Sequence, residues 1–126
     1  VLSADEIMLT VFGEDAGEEH DFYVCRVKKY LFEKSVQLVD SGINVIIDIG
    51  LWSKEERKTA REFYGARNIS IELHYIDISN EEWQRRIVKR NRENDGLSYH
   101  IDSGLIEKAM RLFEEPDESE VDVLIR

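Results

Sequence analysis

Cysteine and proline each occur once in this 126-residue chain, as Cys25 and Pro116. A lone cysteine excludes a disulfide framework within the chain and a cysteine-based metal site. So little proline, beside 42% apolar residues, is the composition of an ordinary globular domain without a disordered tail. Positive charge is scarce as well: 17 lysines and arginines stand against 27 aspartates and glutamates, a net charge of −10. That balance argues against a passive electrostatic grip on nucleic acid or on an anionic membrane. It leaves room for a small phosphorylated ligand held by a local cluster of arginines. No apolar run approaches the roughly 20 residues of a membrane span, and no stretch reads as a secretory signal, so the cytoplasm is the expected location. His20, His74 and His100 share no metal-ligand spacing.

What is present reads as one domain, residues 1–126, with alternating strands and helices. Val1 and Leu2 form the tail of a strand. Residues 18 to 41 are helical, with Val24, Val27, Leu31 and Leu38 as one stripe, widened by Cys25, Phe32, Val36 and Val39. Gly42 follows as the cap residue. Residues 43 to 49 suit a strand covered on both faces. Ser53 with Glu56, and Ser79 with Glu82, make capping boxes that open two further helices. Residues 69 to 78 form a strand between those helices. Asp102 caps a helix bearing Ile106, Ala109, Met110 and Phe113, and residues 121 to 125 make the last strand. Helices of ten or more residues between strands mean crossover connections, and thus an α/β fold with a mainly parallel sheet.

In such sheets ligands bind at the carboxyl ends of the strands. Asp48 stands there, after Val45, Ile46 and Ile47 and just before Gly50. Apolar residues followed by Asp are the Walker B pattern, whose carboxylate holds Mg²⁺ directly or through water. Capping or turn formation explains many such aspartates equally well. Asp5, in "VLSADEIM", lies just past another strand end. Arg85, Arg86, Lys89, Arg90 and Arg92 crowd one helix. They suit a solvated face partnered by Glu81 and Glu82. Arg86 and Arg90, four apart, equally suit a grip on phosphate oxygens. Two acids and an arginine-bearing helix are the parts of a phosphoryl-transfer site: one acid takes the acceptor proton, one organises the metal, and the arginines neutralise developing charge.

"LSADEI", "NVIIDIGLWSKEER", "IELHYIDISNEEWQRRIVKRN" and "FEEPDESEVDVLI", in that order, resemble the P-loop kinases of the group that includes predicted ATP-binding kinases, chloramphenicol phosphotransferase, zeta toxin and the 5′-kinase domain of polynucleotide kinase. The resemblance covers essentially the whole chain. It implies a three-layer αβα fold of the P-loop NTPase kinase type, with an arginine-bearing lid at about 80–114. It implies an ATP-dependent phosphotransferase acting on a hydroxyl of a small-molecule or nucleoside-type acceptor, with ATP and Mg²⁺ bound. By the same resemblance Asp5 is the general base, Asp48 the metal-organising acid, and Arg90, with Arg86 beside it, the lid contact to ATP phosphates. Trp52, just past Asp48, is a candidate for lining the acceptor pocket.

Two features depart from the group. Many relatives carry arginine three residues after the catalytic Asp to hold substrate phosphate or acidic groups, and Met8 stands there instead. A phosphorylated substrate of the polynucleotide type does not fit that change. The phosphate-binding loop G-x-x-x-x-G-K-[ST] is also missing, because Gly13 and Gly17 lie in "GEDAGEEH", which is too acidic to cradle phosphates. In the group that loop follows the first strand, so the expectation is an N-terminally incomplete domain that is inactive until the loop is supplied. The strands at 43–49 and 69–78 would flank that first strand and are not expected to be hydrogen-bonded neighbours. The alternative is a non-catalytic nucleotide-binding or interaction domain that keeps the fold. Among the remaining residues, Cys25 and His74 read as packing residues and Trp83 as an anchor of the lid helix. Tyr99 and His100 lie between the two lid helices without an assigned role.

Overall fold

The structure, a computed structural model, describes residues 1–14, 17–93 and 99–126. The chain divides into two compact units, Val1–Gly50 with Glu93–His100, and Leu51–Arg92 with Ile101–Arg126.

In the first unit, β1 (Leu2–Ser3) leads directly into α1 (Ala4–Phe12). Ser3 has extended backbone, and its hydroxyl accepts the Glu6 N–H at 3.4 Å, satisfying one of the donors a helix start leaves open. Asp5 and Glu6 in the first turn suit the positive end of the helix dipole. Gly13 closes α1 at φ +70°, a value a residue with a Cβ rarely adopts. After a 3₁₀ turn at Gly17–Glu19 comes α2 (His20–Asp40), then β2 (Ile47–Asp48). Helices α1 and α2 pack together, burying Ala4, Met8, Leu31 and Ser35. Phe12 stacks on Tyr23 with ring centroids 4.5 Å apart. Leu31 is the fully buried member of the expected stripe, while Val24, Val27 and Leu38 are half-buried. Cys25, expected to pack, is exposed. One residue on from Val24 turns about 100° around the helix, away from the covered face.

β1 and β2 pair in parallel, Leu2 opposite Ile47 and Ser3 opposite Asp48. This corrects the expected strand over 43–49, covered on both faces. Only Ile47 and Asp48 lie in the ladder, and exposure alternates along it. Val45, Ile47 and Ile49 are half-buried, whereas Ile46 is 68% exposed and Asp48 is exposed. Period-two alternation is the mark of one covered face, not two.

The second unit starts with α3 (Lys54–Gly65), opened by the expected capping box. The Glu56 N–H donates to Ser53 Oγ at 3.1 Å, and the Ser53 N–H donates back to Glu56 Oε2 at 3.1 Å. β3 (His74–Ile76), α4 (Asn80–Arg92), α5 (Ser103–Leu112) and β4 (Val123–Ile125) follow. Asp102 caps α5 as expected, accepting the Leu105 N–H at 2.8 Å. β3 and β4 pair in parallel, His74 opposite Val123 and Ile76 opposite Ile125. Arg57, Ala60, Tyr64 and Ile87 are buried. The acidic segment 114–122 is bound to the start of α3: Glu114 accepts the Lys54 N–H at 2.5 Å, and Asp117 lies 3.2 Å from the Lys54 ammonium. His74, expected to pack, is exposed with its Nε2 3.1 Å from Glu72, because the outward positions of β3 are open.

Parallel pairing across helical crossovers is as expected. The described residues, however, form two two-stranded ladders where one mainly parallel sheet was expected. Their strands are only two or three residues long. β2 and β3, the strands not expected to be hydrogen-bonded neighbours, belong to different ladders. No described helix is long and apolar enough to cross a membrane.

Candidate functional site

Parallel strands carry both of their carboxyl ends to the same edge. Asp48 closes β2 as the register partner of Ser3, and Ser3 is the N-cap of the helix whose second residue is Asp5. Asp5 and Asp48, chosen from sequence, therefore belong to one ladder edge within the first unit, and both are exposed. Lys28, on α2, donates its ammonium to the Gly50 carbonyl at 2.6 Å, tying that helix to the exit of β2. A lysine on the third turn of a long helix gives no sequence signal for such a contact.

Tyr99 belongs to the same unit. Its ring meets that of His20 edge to face, with centroids 5.6 Å apart at 84°. Its hydroxyl oxygen is buried and has no hydrogen-bond partner. Burial first, and then the Asp5 carboxylate, push the Tyr99 phenol above its usual value.

In the second unit, Arg86 and Arg90 stand one turn apart on α4, both exposed. Glu82 engages the nearer one: its Oε1 accepts from Arg86 Nε at 2.7 Å, and its Oε2 meets Arg85. The Arg86 hydrogen bond, with Arg85 second, holds the Glu82 carboxyl below the usual range. Arg86 thus matches the partnered helix face that was one of its two readings. Trp52 is half-buried, and its backbone is fixed on both sides. Its N–H donates to Glu56 at 3.0 Å, and its carbonyl accepts from Glu114 N–H at 2.8 Å and Arg57 Nη1 at 3.2 Å. The lid expected over about 80–114 includes residues 94–98, and the acidic loop "GEDAGEEH" includes 15 and 16; these lie outside the described residues.

A family model described as an AAA domain matches residues 1–116, a span that contains Asp5, Asp48, Trp52, Arg86, Arg90 and Tyr99. The chain belongs to the AAA domain family. No curated protein and no solved structure matches it. Membership brings the P-loop NTPase fold and, with it, a nucleotide-binding domain.

In this AAA domain Asp5 and Asp48 lie at the carboxyl edge of the β1–β2 ladder. Mg²⁺ usually takes one or two protein carboxylates, with waters and substrate phosphates completing its shell. The exposed Asp48 carboxylate fits that donor set. Among the described residues no group of three or more His, Cys, Asp or Glu side chains could hold a metal ion by itself. Met8 on α1, where many P-loop kinases carry an arginine, is wholly buried. That position serves the core of this AAA domain, which is a physical reason for its apolar side chain.

Proposed function

We propose that this AAA domain is an ATP-dependent phosphotransferase of the P-loop kinase type, with a three-layer αβα core, acting on a hydroxyl of a small-molecule or nucleoside-type acceptor. One observation carries the reading: Asp48 and the cap of the helix bearing Asp5 are register partners at the carboxyl edge of a parallel ladder. Asp5 takes the proton of the acceptor hydroxyl as that oxygen attacks the γ-phosphorus. The bond from the γ-phosphorus to the bridging oxygen breaks, and ADP leaves with that electron pair. Asp48 is the carboxylate that would hold Mg²⁺, which supplies charge neutralisation on the β- and γ-phosphate oxygens when bound. Arg90 grips the ATP phosphates, Arg86 joins it when released from Glu82, and Trp52 lines the acceptor pocket. The reading places the protein in the cytoplasm.

The partnering of Arg86 by Glu82 favours a second reading, a nucleotide-binding domain without transfer chemistry. Transfer of the γ-phosphoryl from ATP to a panel of hydroxyl acceptors separates the two. Asp5→Asn is expected to lower transfer by about 10²–10⁴-fold while leaving ATP affinity near wild type, because a general base acts on the acceptor. Wild-type turnover in that variant removes Asp5 from the chemistry, and ATP binding without transfer to any acceptor leaves the second reading standing.

A further inference from the structure

Lysine belongs on the solvent side of a helix, yet Lys28 lies on the covered side of α2, three residues before the buried Leu31 and seven before the buried Ser35. It is half-buried, and its ammonium donates to the Gly50 carbonyl at 2.6 Å. Lys29, about 100° around the helix, is exposed. Holding a long side chain in one geometry costs rotamer freedom, so the group at its tip is where a role is to be sought. That group is the exit of β2. The strand gives only Ile47 and Asp48 to the ladder, so the backbone past Asp48 takes its course from contacts outside it. Lys28 supplies one, two residues on and within the first unit. The next two carbonyls, of Leu51 and Trp52, accept from Arg57 in the second unit.

We propose that Lys28 is a positioning residue for Asp48: by holding the Gly50 carbonyl it fixes the backbone from which the Asp48 carboxylate is presented to a divalent cation. The use of that cation rests on the phosphotransferase reading, but the orienting bond does not. Groups one shell out from a metal ligand set its orientation, and losing one costs about 10–100-fold in affinity. Lys28 acts through the main chain two residues away, which puts its share at the lower end. Its charge makes the expectation directional. Removing an ammonium near a cation site tightens binding by electrostatics alone, whereas removing a positioning group weakens it.

NMR of the full chain tests this with Mn²⁺ alone as the probe, since Mn²⁺ takes the same oxygen ligands as Mg²⁺. The Gly50 carbonyl carbon is expected to shift in Lys28→Met and to stay near wild type in Lys28→Arg, which keeps both donor and charge. Mn²⁺ is expected to broaden the Asp48 carboxyl signal in wild type. The concentration needed is expected to rise about tenfold in Lys28→Met, with Lys28→Arg recovering most of the loss. A purely structural role moves the carbonyl and the melting temperature but not the Mn²⁺ dependence, and overturns the proposal. Tighter Mn²⁺ binding in Lys28→Met, an unmoved Gly50 carbonyl, or no broadening of Asp48 in wild type overturns it too. Weaker Mn²⁺ binding in Lys28→Met, in a protein that transfers no phosphoryl group, upholds the positioning role and overturns the kinase reading instead. Should Lys28→Met fail to fold, Lys28→Gln, also neutral and shorter than lysine, is measured in its place.

Discussion

Arg57 and Glu120 stand 63 positions apart and meet in a forked ion pair, Nε to Oε1 at 3.0 Å and Nη2 to Oε2 at 3.3 Å. Arg57 is 2% exposed, and its Nη1 reaches the carbonyls of Leu51 and Trp52 at 3.3 and 3.2 Å. A guanidinium has five N–H donors and no acceptor, so burying it is tolerable only where those donors are matched. Here the match ties the acidic segment before β4 to the turn that enters α3. Arg61, one helical turn on, adds the Glu120 carbonyl and the Asp122 carboxylate at 2.9 Å.

Arg57→Ala is expected to destabilise the second unit by about 3–5 kcal/mol, because it removes the guanidinium that pairs with Glu120 and donates to the Leu51 and Trp52 carbonyls. Arg57→Lys should recover only part of that, since an ammonium cannot make the fork. Urea unfolding followed by circular dichroism measures both. An unchanged midpoint in Arg57→Ala would show that the pair contributes nothing.

Acid should loosen the same unit. The Arg57 hydrogen bond holds Glu120 below its ordinary 4.5. The Leu73 N–H, then Arg61, hold Asp122 below its ordinary 3.8. Carboxyls depressed in the folded state contribute their stability in full above those ordinary values and lose it as pH falls through the lower folded ones. The melting temperature is expected to fall between about pH 5 and about pH 2, and to fall less in Asp122→Asn. A parallel decline in wild type and Asp122→Asn contradicts this.

If the phosphotransferase reading holds, the two α4 arginines Arg86 and Arg90 should behave differently. Arg90→Ala is expected to lower turnover by about 10³-fold, the scale on which an arginine stabilises a transferring phosphoryl group. Arg86→Ala should cost less, because on this reading Arg86 is the auxiliary contact and must first leave Glu82. Glu82→Gln should then tighten ATP binding by freeing Arg86, an effect read by calorimetric titration. Equal losses in the two arginine variants would remove the distinction.

Met8→Arg tests whether a phosphate-reading arginine can be installed at this position. Met8 has no exposed surface, so an arginine there is either buried unpartnered or displaces the α1–α2 packing. The expected result is a loss of about 3 kcal/mol or more, with no gain for phosphorylated acceptors. A stable variant that acquires such acceptors would show that the site, and not the core, governs position 8.

Local chemistry was readable without coordinates. The caps at Ser53 and Asp102, the stop at Gly42 and the placement of Asp5 and Asp48 past strand ends all depend on residues within about four positions of one another. Helical period and strand length set the crossover order by the same short-range rules. Those rules do not decide the apolar run at 43–49, where only Ile47 and Asp48 form strand. Isoleucines fit a doubly covered strand and a singly covered one alike, and only exposure along β2 distinguishes them.

What the sequence by itself determined was therefore the order of elements, their caps and which acids follow which strands, since these are settled by neighbours in the chain. The tertiary structure alone decided that Ser3 faces Asp48, that Arg57 is buried on Glu120, that Met8 belongs to the core and that Tyr99 carries a buried, unpartnered hydroxyl. Each of those facts depends on groups distant in the chain, whose meeting is set by packing and desolvation and not by any local pattern of residues.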